Sequence, residues 1–235
     1  MTWSIVARDP ETGAFGIAVT TRFFAVGAVC PHVMAGVGAV STQALVNPYL
    51  GSRGIKLLAE GISANDALTA LIATDEGRAL RQLHLVDAKG RTAAHTGKDC
   101  LDWAGHHTGD GFSVAGNILA GERVVADTFD AYLANMKLPF AERMMTALDA
   151  GQAAGGDKRG KQSAALRIFT TEDYPFLDLR VDDHVEPLAE LRRLYTVYQQ
   201  DYAVFRPVVP TKANPTGIID RQVIEEIRAK RLQRG

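Results

Sequence analysis

The chain has 235 residues, 46% of them hydrophobic and 23% charged, and a formal net charge of −1. That length buries a full core, so one domain with an appendage is expected, and the near-neutral charge argues against a phosphate-backbone binder, so no nucleic-acid partner is expected. No apolar run approaches the roughly 20 residues of a membrane helix and the amino terminus has no signal-peptide pattern, which predicts a soluble, cytoplasmic protein without membrane contact.

TWSIVAR (2–8), the turn DPETG and AFGIAVTTRFF (14–24) read as one β-hairpin. HVMAGVGAVSTQAL (32–45) carries small and β-branched residues, and its glycines suit a tightly packed central strand pair. Asn47-Pro48 signals a helix start, and Gly61 can close that helix. Ser63 with Asp66 heads a second helix in a loose capping box. RQLHLVD (81–87) and RTAAHTG (91–97) form a second hairpin, and GFSVAGNIL (111–119) is another strand. Two helices follow, over 121–135 and 138–150. A glycine-rich loop then leads into strands at 161–169 and 176–184. The helix at 186–202 is amphipathic, with Leu188, Leu191, Leu194, Val197 and Tyr198 on one face.

Beyond it, PVVPTKANPTG (207–217) reads as an extended linker to a charged terminal helix whose apolar residues are Ile219, Val223, Ile224 and Ile227. The expected division is residues 1–204 as the main domain and 205–235 as linker and helix. A helix with an apolar stripe must cover it somewhere, which makes a homodimer or higher homo-oligomer the expected assembly. Strands and helices come in blocks instead of alternating singly. The order therefore predicts an α+β four-layer αββα sandwich: two mainly antiparallel sheets, helices outside, and a C-terminal helical extension.

Several common enzyme signatures are missing. There is no G-x-S-x-G elbow, no G-x-G-x-x-G, no Walker A loop and no HExxH. Cys30 and Cys100 form no CxxC pair and are read as reduced thiols. Cys100, His106 and His107 lack zinc-site spacing, and the adjacent histidines are read as loop residues, so no metal and no cofactor are expected.

Thr2 stands directly behind Met1, at the head of the first strand. If Met1 is removed, the threonine hydroxyl acquires its own α-amine as a base, with an ordinary pKa of roughly 8. The plain alternative is a small residue tolerated at position 2. In GGDKRGKQSAAL (155–166), the backbone and cations around Asp157, Lys158 and Arg159 suit an anion, although a solvated connection has the same composition. Asn117 suits an oxyanion donor or a turn residue. His95 suits a strand end or a base. Arg22 suits a carboxylate or a surface cap.

MTWSIVARDPETGAFGIAVTTRFFAVGAV, AGVGAVSTQALVNPYLGSRG, AAHTGKDCLDWAGHHTGDGFSVAGNILAG, GQAAGGDKRGKQSAAL and LRVDDHVEPLAELRRL together resemble a microbial family of unknown function within the N-terminal-nucleophile (Ntn) hydrolase superfamily. The resemblance runs to about residue 200. It implies the αββα sandwich, amide hydrolysis and Thr2 in the nucleophile's place. Two departures stand out. Proteasome-like chains have an Asp where this chain has Thr20, and a lysine on the next strand where this chain has none between Arg22 and Lys56.

The reading is a hydrolase of a small amide or N-acyl compound. Thr2 attacks, Asn117 and backbone amides hold the oxyanion, and Arg22, Lys158 or Arg159 recognises a carboxylate, with Asp157 in the same loop. The alternative is a non-catalytic ligand-binding or assembly protein on the same fold. A third reading places the chemistry on His95 or Asp157.

Overall fold

The computed structural model describes residues 2–232, with side chains as far as residue 229. β1 (Thr2–Arg8) and β2 (Phe15–Thr21) form the first hairpin. Its loop is fastened by Asp9, whose carboxylate accepts from Thr12 Oγ1 at 2.5 Å, while Gly13 supplies a φ of 73°. β3 (Pro31–Met34) and β4 (Gly38–Ala44) form a second antiparallel pair.

Both expected capping signals are used. Before α1 (Pro48–Ala59), the Asn47 side chain accepts from Tyr49 N at 3.1 Å. Before α2 (Ala64–Ala73), Ser63 Oγ accepts from Asp66 N at 3.2 Å. These bonds satisfy amide groups that a helix start otherwise leaves without partners.

β5 (Arg81–Asp87), β6 (Thr92–Thr96), β7 (Trp103–Thr108) and β8 (Phe112–Leu119) follow, then α3 (Arg123–Ala134), α4 (Phe140–Ala153), β9 (Ser163–Phe169) and β10 (Leu177–Val181). α5 (Pro187–Gln200), α6 (Tyr202–Phe205) and α7 (Arg221–Leu232) are the remaining α-helices among the described residues.

His106 and His107 lie on β7, not in the loop expected for them. The strand is at a sheet edge, is only half-buried and carries an irregularity between Trp103 and Gly105, so it shows no apolar alternation in sequence.

The architecture is α+β with two antiparallel sheets, ordered β10-β9-β2-β1-β8-β7 and β3-β4-β5-β6. Alternate residues of each strand point to opposite faces. One face of the four-stranded sheet buries Val40, Leu83 and Leu85 against Leu50, Ile55 and Leu58 of α1 and Ala67 and Leu71 of α2. The opposite face turns Ala39 and Val86 toward Val6, Phe15 and Ile17 of the six-stranded sheet. The far face of that larger sheet receives α4. A Cβ on Gly16 would stand 2.8 Å from Met144 Sδ, so the bare backbone is what lets the helix seat there.

The chain divides into two compact units, Met1–Leu188 and Ala189–Gly235. Within the second, Tyr198 lies between Tyr195 and Tyr202, at ring-centroid distances of 6.3 and 5.8 Å, and its hydroxyl accepts from Arg206 Nη1 at 3.2 Å. No helix among the described residues is long and apolar enough to cross a membrane.

Candidate functional site

The space between the two sheets changes character from one end to the other. Along β1 the residues facing the second sheet are Val6, Ser4 and Thr2. On β4 they are Ala39, Ser41 and Gln43, and on β5 Val86, His84 and Gln82. The Val6 end is apolar and dry. The Thr2 end is polar, yet nearly as deeply buried: Ser4, Ser41, His84 and Gln82 are 0% exposed, Gln43 and Asn117 1%, and Thr2 7%.

Buried polar groups are costly unless paired, and these are paired with one another. Gln43 Nε2 donates to Gln82 Oε1 at 2.8 Å and to Ala115 O at 3.1 Å, which turns Gln43 Oε1 toward Ser4. Ser4 Oγ donates to that oxygen at 2.8 Å. With the Ser4 proton committed, His84 Nε2 is the donor in its 2.7 Å contact with Ser4 Oγ, and His84 Nδ1 accepts from Ser113 Oγ at 2.8 Å. His84 is therefore a neutral imidazole joining two hydroxyls of the opposite sheet. Burial, with His106 nearby, lowers its pKa to about 3.

Asn117 is held by the same pairing of donors with acceptors. Its Nδ2 donates to Gln82 Oε1 at 2.9 Å and to the Thr2 carbonyl oxygen at 3.3 Å. Flipping the amide would set oxygen against two acceptors. Both amide hydrogens are thus engaged, and the buried Oδ1 has no hydrogen-bond partner among the described residues. What Asn117 offers beside Thr2 is an acceptor.

Thr2 itself begins β1 opposite Asn117 of β8, and its Oγ1 donates to Thr21 Oγ1 of β2 at 3.2 Å. Thr21 in turn is opposite Ser163 of β9. Thr20, where proteasome-like chains have an Asp, donates to Ser163 O at 3.0 Å. Met1, on whose removal the nucleophile reading turns, lies outside the described residues.

Arg22 and the Asp157 loop meet at this end of the sheet. Arg22 N donates to Asp157 Oδ2 at 2.7 Å, and Arg159 N to Asp157 Oδ1 at 2.8 Å. The backbone amides expected to cradle an anion are therefore holding Asp157's own carboxylate. Arg159 Nη2 approaches the same group at 3.4 Å, while the exposed Arg22 guanidinium donates to Gln162 Oε1 at 2.5 Å. Lys158 turns elsewhere, with Nζ 3.6 Å from Asp102. Thr2, Asn117, Arg22, Asp157 and Arg159 are thus gathered by adjacent strand ends, with Lys158 at the outer edge.

His95 stands apart from this group: its Nε2 meets Arg78 O at 2.8 Å. His106 Nδ1 pairs with Thr96 Oγ1 at 2.9 Å, and His107 packs edge-on against Phe129. Cys30 and Cys100 are free thiols, and burial raises Cys30 to about 12 and pushes Cys100 up. Neither is poised as a thiolate.

Ser4, Gln43, Gln82 and His84 have no place in the sequence reading. Their signal is a period-two polar pattern in strands, S-x-Q on β4 and Q-x-H on β5, which looks the same whether that face meets water or a second polar sheet. Also unanticipated are exposed apolar side chains beyond the strand ends near Thr2: Phe23 at 55%, Phe24 at 61% and Leu45 at 57% on loops, and Tyr49 at 71% in the first turn of α1.

The chain is similar in structure to protein SPO2555 from Silicibacter pomeroyi, described by the DUF1028 family model, with a TM-score of 0.87 and 33% identity over 94% of this chain and 96% of that one. Anbu (ancestral beta-subunit) from Yersinia bercovieri matches at a TM-score of 0.43 and 10% identity, covering 89% of this chain and 99% of that one. No curated protein matches the chain. The model of a family of unknown function (DUF1028) matches residues 2–191, and the chain belongs to that family.

Proposed function

We propose that this protein is an Ntn-type hydrolase of a small amide or N-acyl compound, built as a four-layer αββα sandwich, with Thr2 as nucleophile once Met1 is removed. The observation that carries the reading is the convergence of a buried polar network on the first residue of β1. Nothing about stability requires the inter-sheet core to become polar toward Thr2, since apolar side chains fill the same layer at the other end.

In the proposed reaction the freed α-amine takes the Thr2 hydroxyl proton as Oγ1 attacks the substrate carbonyl. The resulting ammonium is held by Asn117 Oδ1 and returns its proton to the departing amine. Backbone amides serve the oxyanion, because the Asn117 hydrogens are engaged. Water then hydrolyses the ester on Thr2. Arg22, with Arg159 beside it and Lys158 at the outer edge, recognises a substrate carboxylate, and Phe23, Phe24 and Tyr49 meet an apolar acyl group. Asp157 keeps Arg22 and Arg159 in place.

The burial of Thr2 favours a second reading, a non-catalytic binding protein in which the network only joins the sheets. A β-lactone separates the two, because a terminal threonine hydroxyl opens it to a stable ester of known added mass. The hydrolase reading expects an intact mass lacking Met1, one lactone equivalent on the wild type and none on Thr2→Val. Retained Met1 in protein from its own host, or equal labelling of Thr2→Val, would leave the binding reading in its place.

A further inference from the structure

At the opposite end of β1 from Thr2 lies a cavity of about 270 Å³ that the catalytic reading does not use. β1 is a seven-residue strand, so Arg8 at the cavity is about 20 Å along it from Thr2. The volume lies just under the range of about 300–1,000 Å³ that holds drug-sized ligands, which suits a small metabolite.

The walls are braced. Arg8 N donates to Gly111 O at 2.7 Å, and Gly111 N donates to Gly90 O at 2.9 Å, so backbone bonds join the ends of both sheets beneath the cavity. The turn carrying Lys89 is pinned by Asp87, which accepts from Lys89 N at 2.9 Å and from Arg91 Nε at 2.7 Å.

The lining combines charge with apolar surface. Arg8 and Lys89 contribute two cations and Asp110 one carboxylate, and none of the three has an ion-pair partner among the described residues. Phe112 forms apolar wall, and Leu133 and Met136 stand 48% and 37% exposed beside it. Tyr132 also lines the cavity. It is 1% exposed, and the Arg143 guanidinium carbon lies 5.2 Å from its ring centre.

We infer that this cavity is a second small-molecule site, selective for a small monocarboxylate bearing an aromatic or branched apolar group. The carboxylate lies between Arg8 and Lys89, and the apolar group packs on Phe112, Leu133 and Met136. Asp110 at the rim disfavours a dianion, because a like charge there opposes the second negative charge.

Phenylacetate, its neutral amide and phenyl phosphate test this by amide chemical-shift titration of the full chain. Phenylacetate is expected to saturate one site, shifting Arg8, Lys89, Gly90 and Gly111, and to bind at least about tenfold more tightly than the other two. Lys89→Gln, at an exposed position, should weaken it about fivefold without changing Tm, and Thr2→Val should leave it unchanged. Absence of saturable millimolar binding, equal binding of the amide, tighter binding of the phosphate, or shifts confined to the Arg22 end would each overturn the assignment. Because Thr2→Val is neutral here, failure of the catalytic reading leaves this test intact.

Discussion

Asn117 meets Thr2 in two ways: they are register partners on β8 and β1, and Asn117 Nδ2 donates to the Thr2 carbonyl oxygen at 3.3 Å. The second amide hydrogen goes to Gln82 Oε1, so the side chain is oriented from both sheets at once. Its position depends on donors meeting acceptors, and a near-isosteric change can reverse that.

Asn117→Asp makes the reversal. A carboxylate oxygen would then face Gln82 Oε1 and the Thr2 carbonyl, with no donor to either. In protein that retains Met1, where no ammonium stands at Thr2, burial without a donor raises the new carboxyl's pKa above its unfolded value of about 3.9. Relative to wild type, the penalty is therefore small below that value and grows as pH rises. Urea denaturation should show a loss of about 3 kcal/mol or more at pH 7, shrinking toward pH 4. A loss independent of pH would mean that the carboxylate had found another donor.

His84 predicts the opposite trend. Its folded pKa is about 3. The unfolded chain, with an ordinary histidine pKa of about 6.5, binds the proton more readily as pH falls. Stability from this group is complete above about 6.5 and is lost progressively toward 3, with roughly 2 kcal/mol gone by pH 5. His84→Gln should flatten the stability profile between pH 7 and 5 by that amount, whatever its effect at pH 7. An unchanged slope would mean that His84 is not the group responsible.

The portions of the fold that are legible in sequence are those with local causes. Asn47-Pro48 and Ser63 with Asp66 supply their helix starts through bonds spanning two or three residues. β5 runs over Arg81–Asp87, the span its β-rich pattern predicts. β7 is not legible, because its strand character comes from pairing with β8 and not from its own side chains. The candidate site is legible only in part for the same reason. Thr2 announces itself by position, but the partner that orients Asn117 from the second sheet comes from β5, and Asp157 is held by the amide that follows β2. Such pairings are absent from any local window.

Asp157 provides a test of how the loop is held. Its two carboxylate oxygens each accept a backbone amide, Arg22 N at 2.7 Å and Arg159 N at 2.8 Å. An asparagine can satisfy one of these and must turn its own N–H groups toward the other. Asp157→Asn should cost about 1–3 kcal/mol and release one of the two segments. Hydrogen exchange should quicken at Arg22 or Arg159 while staying slow in β5. If the proposed reaction holds, substrate binding should weaken more than turnover, since Asp157 positions Arg22 without touching the reacting bond.

Asp9 and Arg143 form the deepest ion pair on the other flank, at 2.7 Å with side chains only 5% and 4% exposed. Asp9 also ties down the first hairpin loop through Thr12, and the Arg143 guanidinium carbon lies 5.2 Å from the Tyr132 ring centre. Asp9→Asn leaves a guanidinium charge buried without its counter-ion, at a cost of about 3–5 kcal/mol. Arg143→Met alone strands the carboxylate and should cost a similar amount. The double variant removes both charges and keeps much of the packing, so it should be more stable than the sum of the two losses predicts. Denaturation of all four proteins closes the cycle. A coupling of at least about 2 kcal/mol is expected, because each charge is buried chiefly on account of the other, and strict additivity would show that they are solvated independently.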